Sequence, residues 1–144
     1  MFQRILLPVD GSPRSERAVP YAKGLATALD AEVLVCRVIT KPITAFSTKE
    51  NQQAAEYVDK IAEQLREGGV AVKTQVRRGE APLEIEKAAL EWGVDAIVMA
   101  TRSRRRLEKL MLGSVADAVV RDSRLPVLLV SSRRLAKQSA RSAA

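Results

Sequence analysis

Apolar segments of strand length alternate with amphipathic segments of helix length along nearly the whole chain, and few folds accept that alternation. Ile5-Leu6-Leu7 with Val9 reads as a buried strand. Asp10-Gly11-Ser12-Pro13 follows, with Ser12 suited to cap a helix and Pro13 to its first position. The helix predicted there runs to about Leu29, with Ala18, Ala22, Leu25 and Leu29 on one face. Val33 to Ile39 is a second strand, and Thr40 to Ser47 reads as a loop. Ala54, Val58, Ile61 and Leu65 mark a second helical face, which Gly68-Gly69 ends. Val70, Val72, Thr74 and Val76 alternate with polar neighbours, the pattern of an edge strand dry on one side. Ile85, Ala88, Ala89 and Trp92 line a third helix, closed by Gly93. Ala96-Ile97-Val98-Met99-Ala100 is apolar throughout, as a central parallel strand should be. A polar, basic loop leads to Gly113-Ser114 and a helix through about Arg121, before a last strand, Pro126-Val127-Leu128-Leu129-Val130.

Strand-helix alternation of this kind implies right-handed crossovers and a mostly parallel, doubly wound sheet with helices on both faces. Ligands of such sheets bind at the strand carboxyl ends, where the strand order reverses. If the first and fourth strands flank that point, the loops that begin at Pro8 and Ala100 form the mouth of one cleft.

Composition then narrows the function. A chain of 144 residues fits one domain, and a 47% hydrophobic share supplies its core. No apolar run approaches the roughly 20 residues that span a bilayer. Met1 to Pro8 is too short and too soon broken for a secretory signal. The single cysteine, Cys36, has no internal disulfide partner; set in an apolar strand, it reads as a buried small side chain. These features point to the cytoplasm. The chain contains no histidine, which excludes Ser-His-Asp and Cys-His catalysis and imidazole zinc sites. Its net charge of +7 favours anionic partners. Part of that charge lies in Arg133, Arg134, Lys137 and Arg141, so residues 132–144 read as a basic, disordered tail behind a domain of residues 1–131.

Two sites carry chemistry. At Gly113-Ser114, glycine admits a ligand close to the backbone, Ser114 can cap the following helix, and the helix N-terminus favours an anion. The competing reading is an ordinary loop and cap. Asp10, at the same sheet end, can accept hydrogen bonds from a ribose or an adenine amino group, or hold a divalent cation; as half of an Asp-Gly pair it can equally close its own turn. Arg102, Arg104, Arg105 and Arg106, with Lys109, make the neighbouring loop strongly basic: a phosphate clamp, a nucleic-acid contact or a solvated loop. No aromatic residue is interleaved there for base stacking.

Taken together, Ile5-Leu6-Leu7-Pro8-Val9-Asp10-Gly11-Ser12 near one end, and Leu112-Gly113-Ser114-Val115-Ala116-Asp117-Ala118-Val119-Val120-Arg121 followed by Pro126-Val127-Leu128 near the other, resemble the universal stress protein family. The resemblance implies a five-stranded doubly wound sheet of order 3-2-1-4-5, commonly dimeric. One branch of the family binds ATP through a Gly-x-x-Gly, nine residues, Gly-Ser/Thr pattern, and another does not bind it. Carried onto this chain, Asp10 and Val38 would contact the adenosine end and Met99 and Ala100 the adenine and ribose, with Pro8 and Val9 among the nucleotide-binding residues. Arg102, Ser103, Gly113, Ser114 and Val115 would hold the phosphates, with magnesium as an accompanying ion.

Two of the pattern's glycines are replaced, by Ala100 and Ser103. Ala100 adds a methyl where a ligand should come close, and a positive φ at Ser103 would cost about 1–2 kcal/mol relative to glycine. That corresponds to roughly a tenfold weaker complex. The expected function is therefore an adenine-nucleotide-binding module of stress response or signalling, and not an enzyme, although slow hydrolysis of a bound nucleotide stays open. A nucleotide-free interaction dimer and a nucleic-acid binder acting through the basic loop and tail are the alternatives. The last strand, apolar on both faces, is expected to pair with its counterpart in a homodimer.

Overall fold

The structure, a computed structural model, describes residues 2–101, 104–106, 109–111 and 113–131. Five parallel strands form one sheet, in spatial order β3-β2-β1-β4-β7. They are β1 (Arg4–Val9), β2 (Glu32–Ile39), β3 (Val72–Arg78), β4 (Ala96–Thr101) and β7 (Val127–Ser131). In between lie α1 (Ala18–Leu29), α2 (Ser47–Glu67), α3 (Ala81–Trp92) and α4 (Ser114–Asp122). This is the doubly wound sheet expected, with the order of the five strands as read. Between β4 and α4, where the sequence suggested only a loop, Arg104–Arg106 (β5) and Lys109–Met111 (β6) pair as a small antiparallel hairpin. A run of basic residues has low strand propensity and no alternation, so nothing local announces backbone pairing.

Two apolar layers clothe the sheet. On one side Ile5, Leu7, Val9, Val33, Val35 and Val98 pack under α1 and α2 against Ala22, Val58, Ile61 and Leu65. On the other, Leu6, Leu34, Cys36, Ile97 and Met99 pack under α3 and α4 against Ile85, Ala88, Ala116 and Val119. Alternate residues of β1, β2 and β4 thus serve opposite faces, which is why those strands read as unbroken apolar runs.

Two local readings are corrected. The buried stripe of α1 is Ala18, Val19, Ala22 and Ala26; Leu29, at its last residue, is 42% exposed. Small side chains let this helix lie close to the sheet, and the stripe turns toward Val19 and Ala26. The helix also starts later than Pro13, after a 3₁₀ turn at Ser15–Arg17. Among the described residues, no helix is long and apolar enough to cross a membrane.

Candidate functional site

The strand order reverses between β1 and β4, and a cavity of about 320 Å³ opens there at the strand carboxyl ends. Nine of the residues expected at the site border it: Pro8, Val9, Asp10, Val38, Met99, Ala100, Gly113, Ser114 and Val115. Arg102 and Ser103 lie outside the described residues. Arg14, Ser15, Cys36, Ala81, Ile85, Thr101 and Ala116 also border the cavity, and sequence reading passed over them as site residues.

The β1 wall is a turn closed by its own hydrogen bonds. Ser12 N–H donates to Asp10 Oδ1 at 2.8 Å, and Asp10 N–H donates to Ser15 Oγ at 3.1 Å. Ser15 N–H donates to Ser12 Oγ at 3.1 Å, while Ser15 Oγ donates to the Ser12 carbonyl at 3.0 Å. Asp10 therefore closes its own turn, and it also borders the cavity. Partial burial pushes its carboxyl pKa upward, but hydrogen bonding by Ser12 and the nearby Arg14 charge outweigh that and hold it below the ordinary value. Asp10 is thus a carboxylate at neutral pH, suited to accept hydrogen bonds.

Gly11 takes φ +86°, and a Cβ there would lie 2.8 Å from Arg37 Nη1. Arg37 comes from β2 and rests over the ring of Tyr57, 5.5 Å from its centroid. Glycine at position 11 thus serves both the left-handed backbone and the close approach of the Arg37 guanidinium.

The opposite wall is the start of α4. Gly113, not Ser114, occupies the N-cap position, in extended conformation, and among the described residues no side chain caps the helix. Ser114 is its first residue. The expectation that Ser114 caps α4 is therefore corrected, and the correction strengthens an anion site. With a cap residue lacking a side chain, the first-turn N–H groups keep their hydrogen-bonding capacity for a ligand. Among the described residues, one hydrogen bond ties this wall to β4: Gly113 N–H donates to Oγ1 of Thr101, a threonine only 4% exposed, at 3.3 Å.

The floor is apolar. Val38, Ile85 and Met99 line it with Cys36, whose thiol pKa burial pushes up to about 12, so it is no nucleophile at neutral pH. Ala100 lies on the face of β4 that packs under α1, and its methyl joins that core layer. Ala100 is only partly buried and also borders the cavity, so the departure from glycine stays at the cleft wall. Among the described residues, no group of three or more acidic, cysteine or histidine side chains gathers to hold a metal. The charge of Arg14 beside Asp10 further disfavours a cation there.

The family model described as the universal stress protein family matches residues 1–131. The chain belongs to the universal stress protein family. Among its relatives, universal stress protein MJ0531 of Methanocaldococcus jannaschii is 33% identical over 143 residues, covering 90% of this chain and 82% of that protein. The solved structure of the hypothetical protein MJ0577 is 29% identical, with a TM-score of 0.82, covering 94% of this chain and 99% of that one. A universal stress protein from Archaeoglobus fulgidus, solved in complex with dAMP, shares the fold at 23% identity and a TM-score of 0.67, covering 90% and 98%.

Proposed function

We propose that this universal stress protein binds an adenine nucleotide, ATP foremost, in the cleft between β1 and β4, and acts by binding rather than by turnover. One observation carries the reading: a single open cavity joins the ionised Asp10 turn to the uncapped N-terminus of α4. A carboxylate suits the hydroxyl and amino groups of an adenosine, and a helix N-terminus suits a phosphate. The apolar floor of Val38, Ile85 and Met99 offers a face for a base between them. The dAMP complex of the Archaeoglobus fulgidus relative supports the same ligand class. Asp10 is the one acidic side chain among the described residues of the wall, and the chain has no histidine, so a binding role fits better than hydrolysis.

ATP at about 100 times its dissociation constant would stabilise the fold by about 2.7 kcal/mol, a melting shift of roughly 5–10 °C. A scan with ATP, ADP, AMP and GTP reads this directly, and mass spectrometry of copurified small molecules gives an independent check. Absence of any shift would favour the nucleotide-free dimer. The nucleic-acid alternative rests on the Arg102–Arg106 segment and tail residues 132–144, whose side chains lie outside those described. The sheet ends at β7 in an edge where Leu128 is 45% exposed, and a second copy pairing there would cover it. Light scattering that returned a monomer at micromolar concentration would exclude that dimer. The cytoplasm is the compartment that fits a free thiol and a nucleotide ligand.

A further inference from the structure

The cleft holds a cation that none of the family-derived site residues includes. Arg14 borders the cavity from the 3₁₀ turn before α1 and is partly buried. Among the described residues its guanidinium has no hydrogen bond and no ion pair, only the Arg14 carbonyl being used, by Arg17 N–H at 3.2 Å; its electrostatic neighbour is Asp10. Arg77 and Arg78 are committed elsewhere, and Arg37 lies outside the cavity lining, its buried Nη1 lacking a hydrogen-bond partner among the described residues. Arg77 is tied to Glu84 at 3.0 Å and to Glu91 at 2.8 Å. Arg78 reaches Glu50 at 3.3 Å and the Lys41 carbonyl at 2.6 Å, and Arg37 rests on Tyr57.

A guanidinium that is permanently charged, and left unpaired at the edge of a cavity, is suited to meet a phosphate. Across the same cavity, the uncapped start of α4 supplies N–H donors for that group. The acidic groups of the wall fall short of a metal site, so charge neutralisation must come from the chain or travel with the ligand. We propose that Arg14 is the phosphate-contacting cation of this cleft, taking from the β1 side the neutralising role that a divalent ion would otherwise fill. The inference rests on the adenine-nucleotide reading and adds to it the residue that selects phosphorylated ligands and makes their binding metal-independent.

Titration calorimetry of the full chain tests it, with ATP and adenosine, in magnesium and in EDTA, for wild type, Arg14→Gln and Arg14→Lys. Wild-type affinity for ATP should change less than about threefold on removing magnesium. A charge-assisted hydrogen bond supports a loss of roughly 10–100-fold in ATP affinity for Arg14→Gln, with adenosine within about twofold. Arg14→Lys, which keeps the charge without the planar fork, should fall between and also serves if the glutamine variant does not fold. ATP binding undiminished in Arg14→Gln, or lost from wild type in EDTA, overturns the inference while leaving the nucleotide reading intact. A wild type that binds neither ATP nor adenosine overturns both.

Discussion

The two walls of the cleft are built on opposite plans. The β1 wall spends its polar groups on itself: four hydrogen bonds among Asp10, Ser12 and Ser15 close the turn before any ligand arrives. Among the described residues the α4 wall has one tie, from Gly113 to Thr101, and its helix start has no side-chain cap. One wall is a preorganised acceptor; the other is a set of donors with capacity to spare. A ligand polar at one end and anionic at the other satisfies both, and the walls should respond to mutation in different ways.

The sharpest test of the contrast is Gly113→Asp. An aspartate at the N-cap would accept hydrogen bonds from the first turn of α4 and complement the helix dipole. The free protein should gain a few tenths to about 1 kcal/mol of stability. The same carboxylate would occupy the anion position and repel a phosphate, so nucleotide affinity should fall by about 100-fold or more, a combined occlusion and charge effect. Opposite signs in a melting experiment and a binding experiment would establish the α4 wall as a donor site held open. A parallel loss of stability would mean that Gly113 is structural.

Gly11→Ala probes the other wall, where stability and binding should fall together. The left-handed φ of +86° costs a side chain about 1–2 kcal/mol, and the new methyl would meet Arg37 Nη1 at 2.8 Å. Denaturant unfolding should lose that amount, and displacement of the Asp10 turn should weaken adenosine as well as ATP. An alanine variant as stable as wild type would mean the turn rearranges freely and is not preorganised.

How much of this was legible in the sequence follows the same division. The five strands of the sheet and the Asp10 and Gly113 positions were readable, because apolar runs and turn residues are local signals, whereas the strand order came from the family resemblance. The face of α2 was readable too, since Ala54, Val58, Ile61 and Leu65 repeat at helical spacing and are all buried. Leu29 misled because periodicity does not say where along its length a helix leaves the sheet. Arg14 and Thr101 were passed over because their roles arise only when β1, β4 and α4 meet. An arginine in a basic chain, or a threonine ending a strand, carries no local mark of that meeting. The uncapped state of α4 was likewise hidden: Gly-Ser ahead of a helix is compatible with either residue at the cap, and only backbone geometry decides between them.

Thr101→Val removes the Gly113–Thr101 tie of the α4 wall at nearly constant shape. Gly113 N–H would lose its partner, at a cost of about 0.5–1.5 kcal/mol. Because that bond sets where α4 begins relative to β4, ATP affinity should fall by at least as large a factor as stability implies, whereas adenosine should be little affected. Equal losses for both ligands would show that the tie supports the whole cleft rather than its phosphate side.

The smallest effect, and the most specific to the β1 wall, is the pH dependence carried by Asp10. Its pKa is depressed in the folded chain, so the unfolded chain takes up the proton first as pH falls. The contribution is present above the unfolded value, near 3.9 for an ordinary aspartate, and is lost as pH drops through the folded value. Asp10→Asn keeps an acceptor for Ser12 N–H, so the turn should survive, but the stability curve between about pH 5 and pH 2 should flatten relative to wild type. Comparing the two melting curves over that range isolates the charge from the turn. Superimposable curves would mean that the carboxylate gains nothing from the Asp10 turn or Arg14, and that the acceptor wall is preorganised by hydrogen-bond geometry alone.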